Sequence, residues 1–195
     1  MIRRIALAVI SLIVVGMTAG CLSNTSGLLG GGGAGFTAGE FQVVEIPEAE
    51  RGEPVDFDGV TETDESVSSD DYRGNVLVVN FWYAACGPCI VEAPLLEEVW
   101  QRYQDQGVEF LGVNIYDQPA TALSFARDNN VTYPSVIDIN DGRVKLAFAQ
   151  VTPIQATPTT LVLDRQGRVS ARIIGQLPSA SILATLVSDA LAEPQ

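Results

Sequence analysis

The chain has 195 residues, with 24 acidic side chains against 11 basic ones and a formal net charge of -13. An apolar share of 47% is typical of a chain that packs a core, whereas so acidic a surface repels phosphate backbones and argues against nucleic-acid binding. There is no histidine, which excludes Ser-His-Asp and Cys-His catalysis and every site that needs imidazole ligands.

The first 20 residues have the pattern of an export signal. Basic residues in MIRR precede an apolar stretch at 5–17 that is too short for a comfortable membrane span. Small residues then lead into Cys21 in TAGC, which resembles the lipobox of bacterial lipoproteins, although Thr18 stands where that motif prefers leucine. We expect a signal peptide at 1–20 and an acylated Cys21 that anchors the protein to a membrane surface. The alternatives are a secreted protein with a spare thiol and an uncleaved anchor helix.

A glycine-rich, nearly uncharged segment follows the predicted cleavage site. Such a composition behaves as a flexible coil, so we expect residues 21–39 to be a lipidated cysteine followed by a tether. A phosphate-binding glycine loop is excluded there, because no Gly-Lys-Ser/Thr signature follows and no strand precedes. Alternation and turn residues begin at about residue 40, which predicts a folded domain at 40–195.

Predicted strands and helices alternate along this domain. Apolar β-branched runs between turn residues predict strands at 41–46, 53–60, 76–82, 108–117, 133–138, 158–164 and 169–175, with a loop at 61–75. Apolar residues at helical spacing predict helices from Cys89 to about residue 107 and at 119–130, 143–150 and 179–192. This order predicts an α/β domain with a mainly parallel sheet covered on both faces and an antiparallel hairpin near its end.

Two cysteines interrupt the sequence NFWYAACGPCIVEAP just after an apolar strand. At the entrance of a helix, unpaired N–H groups and the helix dipole favour a thiolate. We expect Cys86 to be the more exposed of the pair and the nucleophile, and Cys89 to be the resolving thiol. Two alternatives remain: a zinc site, for which Cys21 is the one further thiol, and a structural disulfide, which would add little stability across so short a loop. Thiol–disulfide exchange is the interpretation we favour.

The same stretch resembles the active-site segment of thioredoxin-fold proteins. Its VVNFW lead and C-x-x-C-x-x-E-x-P pattern are similar to those of the extracytoplasmic TlpA/ResA-like (DsbE-like) thiol–disulfide oxidoreductases of the lipoprotein type. The resemblance runs from about residue 40 to the end of the chain and includes ATPTTLVLD, which matches the cis-proline loop of the family. It implies an α/β thioredoxin-like fold with a central mixed sheet flanked by helices, an N-terminal β-hairpin and a helix-strand insert at 119–138.

The resemblance also implies roles for individual residues. Cys86 would attack a substrate, and Cys89 would release the mixed disulfide. Pro158 would be a cis-proline that faces them, with Thr157 presenting backbone groups to an extended substrate; the alternative for Pro158 is a proline that only opens a strand. The residues that the resemblance places against the substrate are Trp82, Gly87, Pro88, Thr157 and Pro158.

Glu92 lies one helical turn after Cys89, so its carboxylate can approach the cysteine side of the helix. The resemblance implies that it tunes thiol ionisation and shuttles the resolving proton; the alternative is a glutamate that only complements the helix dipole. Asn80 and Gly112 stand where thioredoxins pair a buried aspartate with a lysine, which leaves Glu92 as the nearby substitute. Ala85 replaces the tryptophan that is usual before the first cysteine, so we expect a flatter and less aromatic lip of the substrate groove.

These features predict a membrane-tethered extracytoplasmic thiol–disulfide oxidoreductase. The dipeptide between the cysteines is that of thioredoxin, whose potential is about -270 mV against about -120 mV for DsbA. We therefore expect a reductant of exported proteins, including apocytochrome c during cytochrome c maturation, with a disulfide-forming oxidase as the alternative. An alternative of another class is a thioredoxin-fold binding module with an inert disulfide. Thiol peroxidase chemistry is not expected, because the threonine that precedes a peroxidatic cysteine by three positions is here Tyr83.

The expected partners follow from the same interpretation. They are protein thiols and disulfides, a membrane thiol electron donor of the CcdA/DsbD type and, through the lipid, the outer face of the cell membrane. We expect no nucleic acid, no metal and no cofactor other than the redox-active Cys86–Cys89 disulfide, and we expect a monomer.

Overall fold

The computed structural model describes residues 41–194 of the chain. The predicted signal peptide at 1–20, the acylation of Cys21 and the tether at 21–39 lie outside the described residues and stay predictions. Among the helices described, none is both long enough and apolar enough to cross a membrane.

Eight strands and four α-helices make up the described part of the chain. The strands are β1 (Gln42–Glu45), β2 (Asp58–Val60), β3 (Ser66–Ser68), β4 (Val76–Trp82), β5 (Val108–Asn114), β6 (Ser135–Ile137), β7 (Thr159–Leu163) and β8 (Val169–Ile174). The helices are α1 (Gly87–Tyr103), α2 (Pro119–Asn129), α3 (Arg143–Val151) and α4 (Ala180–Ala192). Short 3₁₀ helices occur at Glu48–Glu50, Ser69–Tyr72 and Gln104–Gln106.

Six strands form a mixed sheet in the order β1-β8-β7-β4-β5-β6. Pairing is parallel for β4 with β5 and for β5 with β6, whereas β7 runs antiparallel to β4 and β8, and β1 runs antiparallel to β8. The prediction of a mainly parallel sheet is therefore wrong, and the thioredoxin-like mixed sheet implied by the resemblance is confirmed. The error has a physical reason, since a strand that is buried on both faces carries no sequence signal of its direction.

Strand β4 lies inside the sheet and is buried along its whole length. Side chains alternate between the two faces of a strand. Val76 and Val78 accordingly join a core with residues of α1 and α4, whereas Leu77 and Val79 join a second core with residues of α3. The same alternation places the side chain of Asn80 on the face that α1 covers.

An N-terminal hairpin is present, but its strands differ from those that the sequence favoured. Strand β1 adds to the edge of the main sheet through β8, and β2 pairs with β3, which lies inside the predicted loop at 61–75. The loop prediction missed β3 because this strand has three residues and two of them are serines. Asp71 closes the turn that follows, where its Oδ2 accepts hydrogen bonds from the backbone N–H and the hydroxyl of Ser68 at 2.7 and 2.9 Å.

The helix-strand insert implied for residues 119–138 consists of α2 and β6. Pro119 is the first residue of α2, and Asn130, in the left-handed conformation with φ of 56°, caps its end. Strand β6 then adds in parallel to β5. The carboxyl ends of β4, β5 and β6 therefore lie at one edge of the sheet, which is where α/β folds usually carry their sites.

Candidate active site

The two cysteines lie where β4 passes into α1. Strand β4 ends at Trp82, and in the tight turn that follows the N–H of Cys86 donates to the carbonyl oxygen of Tyr83 at 3.1 Å. Helix α1 begins at Gly87, and Cys86 caps it, because its Sγ accepts the N–H of Cys89 at 3.2 Å. The two cysteines form a disulfide. The predicted position of the pair at a helix entrance is confirmed.

Exposure does not separate the two cysteines, contrary to expectation. The exposed fractions are 3% for Cys86 and 2% for Cys89, while Ala85, Gly87 and Pro88 around them are exposed. What distinguishes Cys86 is its position at the positive end of α1, with an N–H directed at its sulfur. Both features favour negative charge on that atom, so Cys86 remains the candidate nucleophile.

The peptide bond between Thr157 and Pro158 is cis, as the resemblance implied. Strand β7 begins at Thr159, which is the register partner of Phe81 in the antiparallel β4–β7 pair. Pro158 therefore lies at the end of β4 from which the cysteine turn emerges. Contact of Thr157 and Pro158 with a substrate stays a prediction.

Glu92 is the buried acid of the site, with 1% of its surface exposed. Its Oε1 accepts a hydrogen bond from Asn80 Nδ2 at 2.9 Å, and its Oε2 accepts the N–H of Leu177 at 2.9 Å. Asn80 Nδ2 also donates to Thr160 Oγ1 at 3.0 Å, so side chains of α1, β4 and β7 meet at this carboxyl group. A glutamate that only complemented the helix dipole could do so at the surface without the cost of burial. The burial of Glu92 therefore argues against that alternative.

Burial raises the pKa of Glu92 from 4.5 to about 7, because the surrounding core withholds the water that would solvate its charged form. The hydrogen bonds from Leu177 and Asn80 favour the charged form and offset part of this effect. Glu92 can therefore bind or release a proton near neutral pH. That property is the one required of a group that exchanges protons with a thiol.

A small cavity lies between the disulfide and this polar network. It leaves about 10 Å³ for the centres of water molecules and is lined by Cys89 and Asn80, together with Tyr133, Ser135 and apolar residues of α1 and α2. Space of this size is close to the minimum that holds one water molecule. Cys89 and Asn80, the hydrogen-bond partner of Glu92, therefore line the same small space.

Trp82 forms an inner wall of the site, with 5% of its surface exposed. Its Nε1 donates to Ser135 Oγ at 3.3 Å, and its ring packs on Phe125 with centroids 4.3 Å apart. Gly112 is the register partner of Asn80, and a Cβ on it would lie 2.1 Å from Ser135 Oγ and 2.8 Å from Trp82 Nε1. A lysine therefore does not fit at Gly112 in this structure. Substrate contact by Trp82 stays a prediction.

Sequence analysis missed the residue that holds the loop before Cys86. Asp117 Oδ2 accepts the N–H of Ala84 at 2.6 Å and Asn114 Nδ2 at 3.0 Å. Asn114 Oδ1 in turn accepts the N–H groups of Tyr116 and Asp117 at 3.1 and 2.7 Å. An available signal was the asparagine at the end of an apolar strand, since asparagine commonly closes turns through its own backbone neighbours.

Two tyrosines add aromatic surface near the cysteine turn, while the expectation drawn from Ala85, a flatter and less aromatic lip, stays a prediction. The rings of Tyr83 and Tyr116 contact each other with centroids 5.6 Å apart, and Tyr116 is 69% exposed. These tyrosines come from the turns that follow β4 and β5. The alanine at position 85 gives no information about this aromatic surface, which is formed by two residues that lie far apart in sequence.

Binding of a metal ion requires a group of ligand side chains close together. Within residues 41–194, no three acidic or cysteine side chains are grouped so that they could hold a metal ion. The expectation that the protein uses no metal and no further cofactor stays a prediction.

Comparison with known proteins shows the family to which the chain belongs. A model of the AhpC/TSA family matches residues 52–172. The thiol-disulfide oxidoreductase ResA of Geobacillus thermodenitrificans is 38% identical over 112 residues, which are 57% of this chain and 62% of that protein. The aligned part thus spans about three fifths of the length of this relative.

Two solved structures share the fold over most of their length. A secreted thiol-disulfide isomerase from Corynebacterium glutamicum superposes with a TM-score of 0.70 at 26% identity and covers 77% of this chain and 92% of its own. A DsbF homologue from Corynebacterium diphtheriae superposes with a TM-score of 0.66 at 31% identity and covers 75% of this chain and 92% of its own. The chain belongs to the AhpC/TSA family of thioredoxin-like proteins and is similar to the thiol-disulfide oxidoreductase ResA.

Proposed function

We propose that the protein is an extracytoplasmic thiol–disulfide oxidoreductase, tethered to the membrane surface through Cys21, that reduces disulfides of exported proteins. The observation that carries the proposal is the Cys86–Cys89 disulfide at the start of α1, with the buried carboxyl group of Glu92 one helical turn further on. A structural cross-link does not use a proton-exchanging group, whereas thiol chemistry requires one. The identity to a protein named thiol-disulfide oxidoreductase ResA supports the same activity.

The exchange transfers two electrons in two steps. The Cys86 thiolate attacks one sulfur of the substrate disulfide, a mixed disulfide forms, and the other substrate sulfur leaves as a thiolate. Cys89 then loses its proton and attacks Cys86 Sγ, which forms the Cys86–Cys89 disulfide and releases the second substrate thiolate. The two protons lost by the dithiol balance the two that the substrate thiolates take up. A membrane thiol donor of the CcdA/DsbD type restores the dithiol.

Glu92 accepts the proton of Cys89 in this scheme. Cys89 must ionise before it can attack, and it is buried, so water at the surface is a poor acceptor for its proton. Glu92 offers a carboxyl group with a pKa near neutrality. Cys89 and Asn80 line one water-sized cavity, so the thiol and the hydrogen-bond partner of the acid face the same space. Asn80 holds the carboxylate in place.

The direction of electron flow is proposed from the dipeptide between the cysteines. Gly87 and Pro88 are the pair found in thioredoxin, whose potential of about -270 mV makes it a reductant. Haem-attachment cysteines of apocytochrome c are the substrates that the resemblance to the ResA type favours. Supporting an extracytoplasmic location, one structural relative is described as secreted.

A disulfide-forming or isomerising role is the second candidate. It is favoured by the similarity to the thiol-disulfide isomerase of Corynebacterium glutamicum and to the DsbF homologue of Corynebacterium diphtheriae. The two candidates use the same residues and differ in the potential of the Cys86–Cys89 pair.

Equilibration with dithiothreitol or glutathione redox buffers tests the direction. Alkylation of free thiols and mass measurement give the fraction of reduced protein at each potential. A Cys21→Ser variant removes the third thiol from the count. A midpoint well below about -200 mV supports the reductant, whereas a value well above it would exclude that role and favour the oxidase.

Trapping in cells tests whether the disulfide acts on proteins at all. Cys89→Ser leaves Cys86 able to attack but unable to release its substrate, so mixed disulfides should accumulate. Cys86→Ser is the matched control and should trap nothing. If both variants are equally silent, the thioredoxin-fold binding module with an inert disulfide becomes the better interpretation.

The lipid anchor has its own test. Globomycin inhibits the peptidase that cleaves lipoprotein signal peptides, so processing at Cys21 should stop in its presence. Processing that is insensitive to globomycin would favour the secreted form.

A further inference from the structure

An aromatic pair, exposed Tyr116 and half-buried Tyr83, lies beside the turn that carries the active-site disulfide. Tyr116 is 69% exposed, the highest fraction among the large apolar side chains that are exposed in residues 41–194, and its ring rests on that of Tyr83 with centroids 5.6 Å apart. Tyrosine is enriched where proteins contact each other, because its ring offers a large contact area. The position of this pair beside the reactive cysteines makes it a candidate contact for a partner.

Backbone contacts fix the pair relative to Cys86. Tyr83 accepts the N–H of Cys86 through its carbonyl oxygen at 3.1 Å, and its side chain packs against the cluster that contains both cysteines. The N–H of Tyr116 donates to Asn114 Oδ1 at 3.1 Å. The next residue, Asp117, accepts the N–H of Ala84 and so joins the two loops that carry the tyrosines. The aromatic surface is thus built into the turn that presents Cys86.

The cysteine turn and the first turn of α1 carry no charged side chain. Residues 82–91 contain no ionisable group besides Tyr83 and the cysteines, and exposed Ile90 and Val91 follow Cys89 in the first turn of α1. The carboxylate of Asp117 is engaged by two N–H donors. In a chain with a formal charge of -13, the uncharged segment 82–91 with its exposed apolar side chains is suited to an apolar segment of a partner.

We propose that Tyr116, supported by Tyr83, is a docking site for an apolar or aromatic side chain next to the reactive cysteine of a client protein. The inference rests on the proposed thiol–disulfide exchange at Cys86 and holds for either direction of electron flow. When Cys86 bonds to the client sulfur, residues beside that sulfur must lie within reach of the turn from Tyr83 to Cys86. A ring stacked on Tyr116 there stabilises the approach to the mixed disulfide.

Competing disulfides of defined sequence test the site. The reduced full chain, purified in detergent, is mixed with symmetric disulfides of a short neutral peptide in which the residue beside cysteine is either phenylalanine or serine. A second pair of peptides places the same residues on the other side of the cysteine. The rate constant for each peptide is divided by that for 2-hydroxyethyl disulfide, which has no side chain to dock.

We expect the unmodified protein to react about 2- to 10-fold faster with a phenylalanine peptide than with its serine counterpart. In Tyr116→Ala this ratio should fall to about 1, and Tyr116→Phe should restore it. Leu146→Ala is the matched control, because Leu146 is also exposed, at 59%, but lies on α3. That control should keep the ratio of the unmodified protein.

The outcomes separate the site from the function on which it rests. A merely structural role of Tyr116 would slow every disulfide alike and leave the ratio intact, which would overturn the docking site while exchange itself stands. A ratio of about 1 in the unmodified protein for both peptide pairs would overturn it as well. Failure of the reduced protein to react with any disulfide would overturn the proposed function and the docking site together.

Discussion

Replacement of Glu92 by glutamine should change how the stability of the protein depends on pH. Burial raises the pKa of Glu92 in the folded protein from 4.5 to about 7, whereas in the unfolded chain the carboxyl group is solvated and titrates near 4.5. Between these two values the unfolded chain has released the proton and the folded protein keeps it. Raising the pH through this range therefore favours unfolding.

The magnitude follows from the same two values. The interval from 4.5 to about 7, at 1.36 kcal/mol for each pH unit, corresponds to about 3 kcal/mol. Glutamine has no proton to lose and can keep both hydrogen bonds. Its Oε1 can accept the N–H of Leu177, and its Nε2 can donate to Asn80 once the amide of Asn80 is flipped. The variant therefore escapes the pH-dependent loss of stability.

Urea unfolding of the oxidised proteins between about pH 5 and 8 measures the effect, because disulfide-bonded cysteines do not titrate. The stability of Glu92→Gln relative to the unmodified protein should rise by about 2 to 3 kcal/mol from pH 5 to 7 and then level off. Glu98→Gln is the matched control, since Glu98 is an exposed residue of the same helix paired with Arg102 at 2.9 Å, and its effect should stay within about 0.5 kcal/mol. A Glu92→Gln difference that stays constant with pH would refute the assignment of Glu92 as a buried proton-binding group.

Two further predictions concern stability alone. Gly112→Ala should lower the free energy of unfolding in urea by about 1 to 3 kcal/mol, because the new Cβ would lie 2.1 Å from Ser135 Oγ. Gly87→Ala is the control, since a Cβ there meets nothing within 4 Å. Equal losses of stability in the two variants would contradict the packing argument. Asp164→Ala should cost about 3 to 5 kcal/mol, because this carboxylate is 1% exposed, pairs with Arg51 and Arg168, and accepts two backbone N–H groups that would lose their acceptor. Asp56→Ala removes an exposed ion pair and should cost at most about 1 kcal/mol. Similar melting curves for the two aspartate variants would show that burial does not determine how much these ion pairs contribute to stability.

The parts of the fold that sequence predicted well have local causes. The seven-residue run at 76–82 predicted β4 with its observed bounds, because a strand buried on both faces needs an unbroken apolar segment. The spacing of Cys86 and Cys89 after that strand predicted the helix entrance. The direction of each strand could not be predicted from the sequence, because it depends on which other strands pair with it.

The contacts of the site were harder to predict for the same reason. Leu177 lies 85 residues from Glu92 and contributes a backbone N–H, a group that every residue except proline carries. Tyr116 lies 33 residues from Tyr83, and neither residue on its own indicates that the rings meet. Sequence patterns therefore indicated candidate residues for the chemistry, while the residues that hold and surround them became visible only in three dimensions.

The alternation of side chains along β4 limits how the length of this chain can vary. Loss or gain of one residue within 76–79, with the pairing upstream unchanged, would turn Asn80 away from α1 and bring an apolar neighbour beneath the carboxyl group of Glu92. The segment from 76 to 92 must therefore keep its length if Asn80 is to stay hydrogen-bonded to Glu92. Insertions and deletions compatible with activity should be confined to the rest of the chain, for example to the loop between β2 and β3.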